Sequence, residues 1–572
     1  MKVKCRKLTK DVILLSVLLN FGYATLPCLA DTLYANGIEQ NLEKIAGKVT
    51  DVKGESIPGV TVRVDGTTKG VVTDIDGNFS IEANRGQTLI ISFIGYDTQN
   101  IKIAGQKLLN ITLEEAVNQL DELVVVSYGT QKKRDLTGSV TKVDAKGLSD
   151  YPVGQFAQKL QGQVPGVQIT QSTGQPGKGM NFRIRGAASI NSGNWPLFVV
   201  DGLPTDMDLS NINPDEIESF SILKDAAASS LYGSRAANGV VLITTKRGKN
   251  GRTQVDLNVS YGIQTMKGLK GFDMMNGEEF AQFKKEYYED QAKYEGYTGG
   301  VPEHYQNPSK YGKGCDWFDE LTHDTSVQNY SLSISANKGN LNSSIVLGYF
   351  RQDGIVRNTD YERFSARANN DYQVNDKLKI GLNLAPTIQI NHNINTDGGW
   401  QILNSLLVAD PTVGPYDENG ELRYILSSPG TFPSPNWVNV VNERLSDSRN
   451  FSLLGNAFAE LDIWKGIKYK FQAGLDWGTS RYRSFNPSII GGSAGGAAPP
   501  RPATGEYGTN FRYNWTIENM LMYNNKFGDH SVDLLVGYTA QKSNSENGSL
   551  QGTDFPDDKI SWLNVAATKT GT

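Results

Sequence analysis

The residues of this chain best suited to catalysis or metal binding are a few histidines and cysteines. The histidines are His304, His323, His392 and His530. None of them stands in the HExxH or HxxE spacing that brings metal ligands together on one helix face. Cys5 and Cys28 belong to an N-terminal leader, so Cys315 alone remains, and neither a disulfide nor a cysteine-based metal site is expected. We therefore expect no metal, no cofactor and no enzymatic activity.

Two short motifs share letters with catalytic loops but not their surroundings. The stretch "GQPGKGM" (Gly174–Met180) has a Gly-Lys pair but lacks the spacing and the Ser or Thr of a phosphate-binding loop. The stretch "GGSAG" (Gly491–Gly495) matches G-x-S-x-G around Ser493, but no helix pattern follows it. Neither motif supports phosphate binding or acyl transfer.

The first thirty residues indicate the compartment. Five basic residues, a short apolar core and small residues before Asp31 are typical of a secretory signal peptide that is cut after Ala30. The mature chain then has a net charge of −9, so a general affinity for nucleic acid is not expected. Beyond the leader no apolar run reaches the 18 residues of a membrane helix.

Two smaller domains follow the leader and a linker at residues 31–44. Residues 45–116 show short strands separated by turn pairs such as Asp65-Gly66 and Asp76-Gly77, which is the spacing of a β-sandwich. Residues 138–250 mix short helices with strands. In this stretch Asn213 precedes a proline and two acids, a good helix start. The sequence predicts a mainly β protein with an α+β domain in second place.

The rest of the chain, residues 251–572, has the pattern of an antiparallel transmembrane β-barrel. Apolar residues alternate with polar or small ones in several stretches, giving outward rows of Leu378, Ile380, Leu382 and Leu384, of Ile467, Tyr469, Phe471, Ala473, Leu475 and Trp477, and of Val532, Leu534, Val536 and Tyr538. Tight turns also alternate with long loops, which favours an outer-membrane barrel over a soluble sandwich. We count about ten strands, whereas outer-membrane barrels with a plugged lumen have about 22. The barrel is therefore expected to be incomplete, and the chain is interpreted as the N-terminal part of a longer protein or a prematurely ended product.

Two stretches in the middle of the chain resemble a known family. "PLFVVDGLP" (Pro196–Pro204) and "NPDEIESFSILKDAAASSLYGSRAANGVVLITTKRGK" (Asn213–Lys249) closely resemble the signature of the SusC/RagA family, and the first domain resembles the carboxypeptidase regulatory-like domain. The resemblance implies a TonB-dependent transporter with a plug domain, placed in the outer membrane lipid of a Gram-negative, Bacteroidetes-like bacterium with its N-terminal domain in the periplasm. It also implies import of oligosaccharides or peptides together with a SusD-like surface lipoprotein.

The segment at residues 117–137 contains an isolated apolar strand, "DELVVVSYG". Its acidic and apolar residues, Asp121, Glu122, Leu123, Val124, Val125 and Val126, resemble the family's TonB box. An unpaired strand on a polar tether can add to a sheet edge in a partner, whose pull then reaches the transporter through main-chain hydrogen bonds. The alternative is a last strand of the preceding sandwich.

The predicted plug offers two sets of candidate contacts. In "SINSGNWP", Trp195 is suited to stack on a sugar ring, while Asn191 and Asn194 are suited to bond its hydroxyls. The alternative is that Trp195 packs on the barrel wall and both asparagines cap turns. Arg183 and Arg185 share a strand face and either pair with barrel carboxylates or are solvated.

Other functions remain open at this point. A siderophore or other small-ligand TonB-dependent receptor would have the same architecture, but the N-terminal domain and the SusC/RagA signature argue against it. A surface adhesin or assembly porin would need neither the plug nor the tether. The residues do not identify the nutrient, the lipoprotein partner or the oligomeric state.

Overall fold

A computed structural model describes residues 43–571, except 53, 68, 94–95, 115–122, 127–128, 133–139, 145–152, 187–188, 192, 208, 226–228, 249–252, 267–272, 395, 397–401, 491–500 and 529. The chain divides into two compact units, residues 1–121 and 122–572. The signal peptide, Asp121, Glu122 and Ser493 lie outside the described residues. Among the described residues, no helix has both the length and the apolar character needed to cross a membrane.

The first unit is a β-sandwich. Its strands are β1 (Glu43–Asp51), β2 (Thr61–Val64), β3 (Gly70–Val72), β4 (Asn78–Ala83), β5 (Thr88–Ser92), β6 (Gln99–Lys102) and β7 (Leu108–Leu113). They form two sheets, ordered β4-β1-β7 and β3-β2-β5-β6, around one apolar core that includes Val62 and Ile91 from one sheet and Ile45 and Ile111 from the other. Alternate residues of β4 are buried, as expected for strands with one face on a core. The predicted sandwich is confirmed.

The second unit begins with a two-stranded hairpin. Strand β8 (Leu123–Val126) pairs antiparallel with β9 (Gly129–Lys132), so that Val125 lies opposite Thr130. The prediction that this apolar strand lacks a partner is therefore wrong. The polar sequence "GTQK" gave no strand signal, and the pairing uses main-chain groups that any residue except proline supplies.

The plug domain is α+β, as predicted. Its elements are β10 (Val140–Asp144), α1 (Phe156–Leu160), β11 (Val167–Thr170), β12 (Asn181–Ile184), β13 (Leu197–Val200), β14 (Leu203–Thr205), β15 (Ile217–Leu223) and β16 (Val240–Thr245). The main sheet has the order β10-β15-β16-β13-β14, and β11 and β12 form a separate hairpin. The predicted cap is present, because Asn213 accepts a hydrogen bond from the Asp215 amide at 3.1 Å, but the turn that follows, Pro214–Glu216, is a single 3₁₀ turn.

The remaining strands form one large antiparallel sheet, which we call the strand wall. Its members are β17 (Gln254–Gln264), β18 (Thr325–Lys338), β19 (Leu341–Asp353), β20 (Asp360–Gln373), β21 (Leu378–His392), β24 (Leu445–Trp464), β25 (Ile467–Asn486), β26 (Thr504–Phe527), β27 (His530–Thr553) and β28 (Thr568–Gly571), while β22 (Ile425–Leu426) and β23 (Ser434–Pro435) form a small ladder in a loop. Each wall strand pairs with its neighbours in sequence, and β17 and β28 are the two edges. The sheet is thus open, with the ten strands that the sequence predicts.

The two faces of the wall differ in polarity. In β21, Ile380, Leu382 and Leu384 are exposed, whereas Asn383 and Thr387 are buried. Strand β25 alternates in the same way, and the predicted row in β27 is also exposed. In β21 and β25 the apolar side chains therefore point outward and the polar ones toward the plug, which confirms the alternation expected there from the sequence, whereas β27 is exposed on both faces.

Short turns and long loops also alternate along the wall, as predicted. Strands β24 and β25 are joined by Lys465-Gly466 alone, and Gly466 has a φ of 79°, a backbone conformation that favours glycine. The long loops carry α2 (Gly277–Tyr294), α3 (Glu303–Gln306), α4 (Trp317–Leu321), α5 (Ile402–Leu406) and α6 (Trp437–Glu443). These helices enclose apolar cores of their own, one of which contains Trp317, Ile402 and Trp437.

Candidate functional site

The plug rests against the polar face of the wall, and β20 makes the central contacts. Alternate residues of this strand, Arg363, Ser365, Arg367, Asn369 and Asp371, are buried. Each of them bonds a plug residue. Because side chains two apart in a strand lie on one face, the five form a continuous polar row.

Arg363 bonds the main chain of the plug and not its charged side chains. Its side chain is among the largest fully buried ones, with an exposure of 1%. Its Nη1 donates to the carbonyl oxygens of Gly154 and Ser210, both at 3.0 Å, and its guanidinium lies 5.6 Å from the centre of the Phe350 ring. Gly154 lies so close to that ring that a Cβ would overlap it. Because this buried cation donates its hydrogen bonds to main-chain carbonyls, it fixes the position of the plug loops that carry them.

Arg367 forms the buried ion pairs. Its Nε lies 2.8 Å from Oε2 of Glu216, and its Nη1 lies 3.5 Å from Oδ2 of Asp201. All three side chains are at most 5% exposed. Asp201 also accepts hydrogen bonds from the amide and hydroxyl of Thr245, at 3.0 and 2.6 Å. Removing one member of such a set leaves an uncompensated buried charge, which costs about 3–5 kcal/mol.

Other contacts extend this interface in both directions along the wall. Arg247 of the plug pairs with Asp371 at 2.6 Å. On the far side, the Thr205 hydroxyl donates to Asp476 of β25 at 2.8 Å. Gly474 of β25 faces Leu203, and a Cβ there would overlap the leucine side chain. Polar bonds and close steric fit thus act together to seat the plug.

A small cavity lies between the plug loop around Gln175 and the ends of wall strands β17 and β19. It has a volume of about 160 Å³ and is lined by Gln175, Gln264, Gln352 and Thr359, among others. Gln175 is tied to the wall, because its amide donates to the Thr396 hydroxyl at 2.6 Å and to the Ile394 carbonyl at 3.1 Å. Apolar side chains, those of Met266, Ile355, Val356 and Leu403, supply much of the remaining lining, so the cavity suits a small ligand that has both apolar and uncharged polar groups.

Of the three residues predicted to contact substrate, the structure brings only two together. Asn194 and Trp195 line one cavity of about 180 Å³ with Arg183, whereas Asn191 is exposed and is not part of that lining. The Asn194 amide bonds the amide and the carbonyl of Ser189, both at 2.9 Å, which is the turn-capping alternative. Trp195 is 48% exposed. Contact of these residues with substrate stays a prediction.

Among the described residues, the two arginines predicted to contact the barrel, Arg183 and Arg185, are not bonded to the polar row on β20. Arg183 is on the exposed face of β12, and Arg185 follows the strand with a φ of 57°. A role for them at the wall stays a prediction. The wall arginines Arg363 and Arg367 were missed, although a signal exists in "RFSARANND", where charges recur every four residues of an alternating strand.

The β8–β9 hairpin lies beside the main plug sheet, since β8 approaches β15 and β16. Its ladder contains β8 and β9 alone among the described residues. Strand β8 thus has one edge paired with β9, and a partner can reach its main chain by adding to the other edge or by displacing β9.

Comparison with known proteins gives consistent matches. Residues 132–240 match the family described as TonB-dependent Receptor Plug Domain, and residues 45–125 match the CarboxypepD_reg-like domain. TonB-dependent receptor P3 of Formosa agariphila is 32% identical over 93% of this chain and 51% of its own length. TonB-dependent receptor SusC of Bacteroides thetaiotaomicron is 32% identical over 89% of this chain and 51% of its own length.

Solved structures show the same likeness. The RagAB peptide importer in its open-open state matches with a TM-score of 0.66 and 26% identity, over 79% of this chain and 53% of that chain. The ferric enterobactin receptor PirA of Pseudomonas aeruginosa, a curated relative, is 32% identical over only 23% of this chain. The chain spans about half the length of the curated relatives that match most of it.

Proposed function

The chain belongs to the TonB-dependent receptors of the SusC and RagA type, and on this basis we propose that it serves the energy-coupled import of oligosaccharides or peptides across a bacterial outer membrane. The observation that carries the proposal is the seating of the plug. Buried ion pairs between Arg367 and two plug acids hold it on the wall. Moving the plug would break these pairs together with the other bonds to the wall, so we expect the movement to need external work.

Strand β8 is the proposed point at which that work enters. It lies immediately before the plug in the chain and presents apolar residues in an extended conformation. A periplasmic TonB-type protein that pairs with Asp121 to Val126 would pull along the main chain. The resulting force would reach the plug through the short segment before β10.

The long loops are the proposed seat of a SusD-like lipoprotein. They fold into an assembly of helices whose longest member, α2, exposes Phe283, Tyr287 and Tyr294. Exposed aromatic side chains clustered on one helix are typical of protein contact surfaces. A lid placed there would close the loop end of the wall above the plug.

The substrate class rests on the cavity chemistry and on the relatives. The cavity around Gln175 combines amides and hydroxyls with apolar side chains, and its volume of about 160 Å³ has room for a small part of a sugar or peptide. The relatives that match most of the chain include SusC, and the solved structure with a TM-score of 0.66 is that of the RagAB peptide importer. The ferric enterobactin receptor PirA matches a much smaller part of this chain, 23%.

Deleting Asp121 to Val126 from the full-length protein tests the coupling. We expect uptake of labelled substrate by cells to be abolished while surface binding stays at the level of the unmodified protein, since the cavities lie in other parts of the fold. Normal growth on the substrate after this deletion would show that coupling does not use β8.

A further inference from the structure

A separate cavity lies within the loop assembly, away from the plug. It is formed by α2, by residues 405–413 and by residues 426–437, and its volume is about 440 Å³. Apolar side chains supply most of its lining: Phe280, Phe283, Val408, Leu426, Phe432 and Trp437. This size and this composition are those of a site for a small molecule or a single large side chain.

The base of this cavity is rigid and its polar groups are already bonded. The Asp410 carboxylate accepts hydrogen bonds from the amide and hydroxyl of Thr412, at 2.7 and 2.6 Å, and from the hydroxyls of Ser428 and Tyr305. Tyr305 is fully buried, and burial raises the pKa of its hydroxyl, so it stays a neutral donor. The Asp410 carboxylate therefore has little remaining capacity to accept hydrogen bonds from a ligand. This end of the cavity favours apolar groups.

The mouth of the cavity keeps apolar side chains in contact with solvent. Phe283, Val408 and Phe432 are exposed, and Phe432 has an exposure of 79%. A ligand that covered them would remove apolar surface from water. These residues stand at the opening of a formed cavity, so the surface they offer is concave rather than flat.

Among the described residues, Lys284 is the one cation in the cavity lining. Its Nζ donates to the Gly430 carbonyl at 3.0 Å and lies 5.8 and 5.7 Å from the ring centres of Phe280 and Tyr287. A lysine ammonium has three donors, so the bond to Gly430 leaves capacity for an anion. Its position beside two aromatic rings keeps the charge at the edge of the apolar space.

We propose that this cavity binds a small apolar or aromatic group that carries a carboxylate, with the apolar part between Phe283, Val408 and Phe432 and the carboxylate on Lys284. A peptide that ends in a hydrophobic residue and a free aryl-alkyl acid share this chemistry. The inference concerns a site outside the plug and does not depend on energy coupling.

Binding to the purified full-length protein, followed by ligand-observed NMR, tests the inference directly. N-acetylphenylalanine is expected to bind with a dissociation constant in the millimolar range, as befits a ligand of this size. The neutral amide of the same compound should bind about fivefold more weakly, and N-acetylglycine should show no saturable binding. Equal binding of acid and amide, or tight binding of N-acetylglycine, would overturn the inference.

Matched variants identify the groups responsible. Lys284→Met should weaken the acid about fivefold and leave the amide within twofold, because an exposed ion pair contributes about 1 kcal/mol at most. Lys285→Met is the control, since Lys285 lies outside the lining and bonds the Gln306 carbonyl at 3.4 Å. Phe432→Ser should weaken acid and amide alike, and its exposed position makes a folding defect unexpected. Unchanged binding by both Lys284→Met and Phe432→Ser would place the ligand elsewhere.

The source of the ligand is decided with three further probes. If Gly-Gly-Phe binds and Phe-Gly-Gly does not, the site takes a peptide carboxyl terminus. If phenylpropionate binds while neither peptide does, the site takes a free acid. Failure of all these probes to bind would overturn the inference, whatever the outcome of the uptake experiment.

Discussion

Replacing Arg367 with methionine tests whether buried charges hold the plug on the wall. The change keeps most of the side-chain volume and leaves the carboxylates of Asp201 and Glu216 buried without their cation. We expect the plug-seated state to lose about 3–5 kcal/mol. Since each 1.4 kcal/mol is a factor of ten, the population of the displaced plug should rise by roughly two to three and a half orders of magnitude.

Native-state thiol labelling measures that population. Ser210 of the plug is buried, and its hydroxyl accepts a hydrogen bond from the Gln389 amide of the wall at 3.4 Å, so a cysteine placed there by Ser210→Cys, in a Cys315→Ser background, reacts when the plug leaves the wall. The labelling rate should rise with the open population in Arg367→Met. Adding Asp201→Asn and Glu216→Gln should restore much of the protection, because the stranded charges are then gone.

Arg351→Met is the matched control in the same sheet. Arg351 pairs with Asp353 at 2.9 Å and with Glu362 at 2.5 Å, but the three side chains are between 22% and 36% exposed. Solvent screens such pairs, so its loss should raise the labelling rate less than about fivefold. A similarly small rise in Arg367→Met would refute the idea that its buried pairs seat the plug.

Three other expectations follow from single sites. Gly474→Val should weaken the seating of the plug and speed the same thiol labelling, because a Cβ there overlaps Leu203, whereas Gly478→Val, whose Cβ meets only a carbonyl at 3.5 Å, should not. Trp195→Ala should lower substrate affinity without lowering thermal stability if the half-exposed ring contacts substrate, and a fall in stability with unchanged affinity would assign it to packing. Burial lowers the pKa of His304 below the ordinary value of about 6.5, so the loop assembly should lose stability as the pH falls below that value, with His304→Gln removing the effect in a proteolysis assay.

Local patterns predicted much of this fold. The alternation in β21 and β25 and the turn at Lys465-Gly466 depend on neighbouring residues only, so sequence was enough to place them. The same holds for the β-sandwich, whose turns recur at short intervals. The number of wall strands followed from these two signals together.

The contacts that seat the plug were not predictable in the same way. Arg367 and Asp201 are far apart in the chain, and only the packing of the plug against the wall brings them together. The partner of β8 was also missed, since a polar strand such as β9 carries no hydrophobic pattern. The small-residue stretch "AAASSLYG" after Asp225 predicts a helix from the sequence alone. Residues 226–228 lie outside the described part, and the following turn, Ser230–Ala236, is a 3₁₀ helix in which Gly233 has a φ of 68°.

The most direct test of energy coupling compares two proline variants of the β8–β9 hairpin. Val125→Pro removes a main-chain donor of β8 that points away from β9, whereas Gln131→Pro removes a donor of β9 that bonds Val124 and leaves β8 itself intact. Binding of the purified full-length protein to the periplasmic domain of its host's TonB-type protein is the measurement. We expect Val125→Pro to abolish binding and Gln131→Pro to preserve or strengthen it, because weakening the hairpin frees β8. Equal loss in both variants, or unchanged binding in Val125→Pro, would contradict the coupling role of β8.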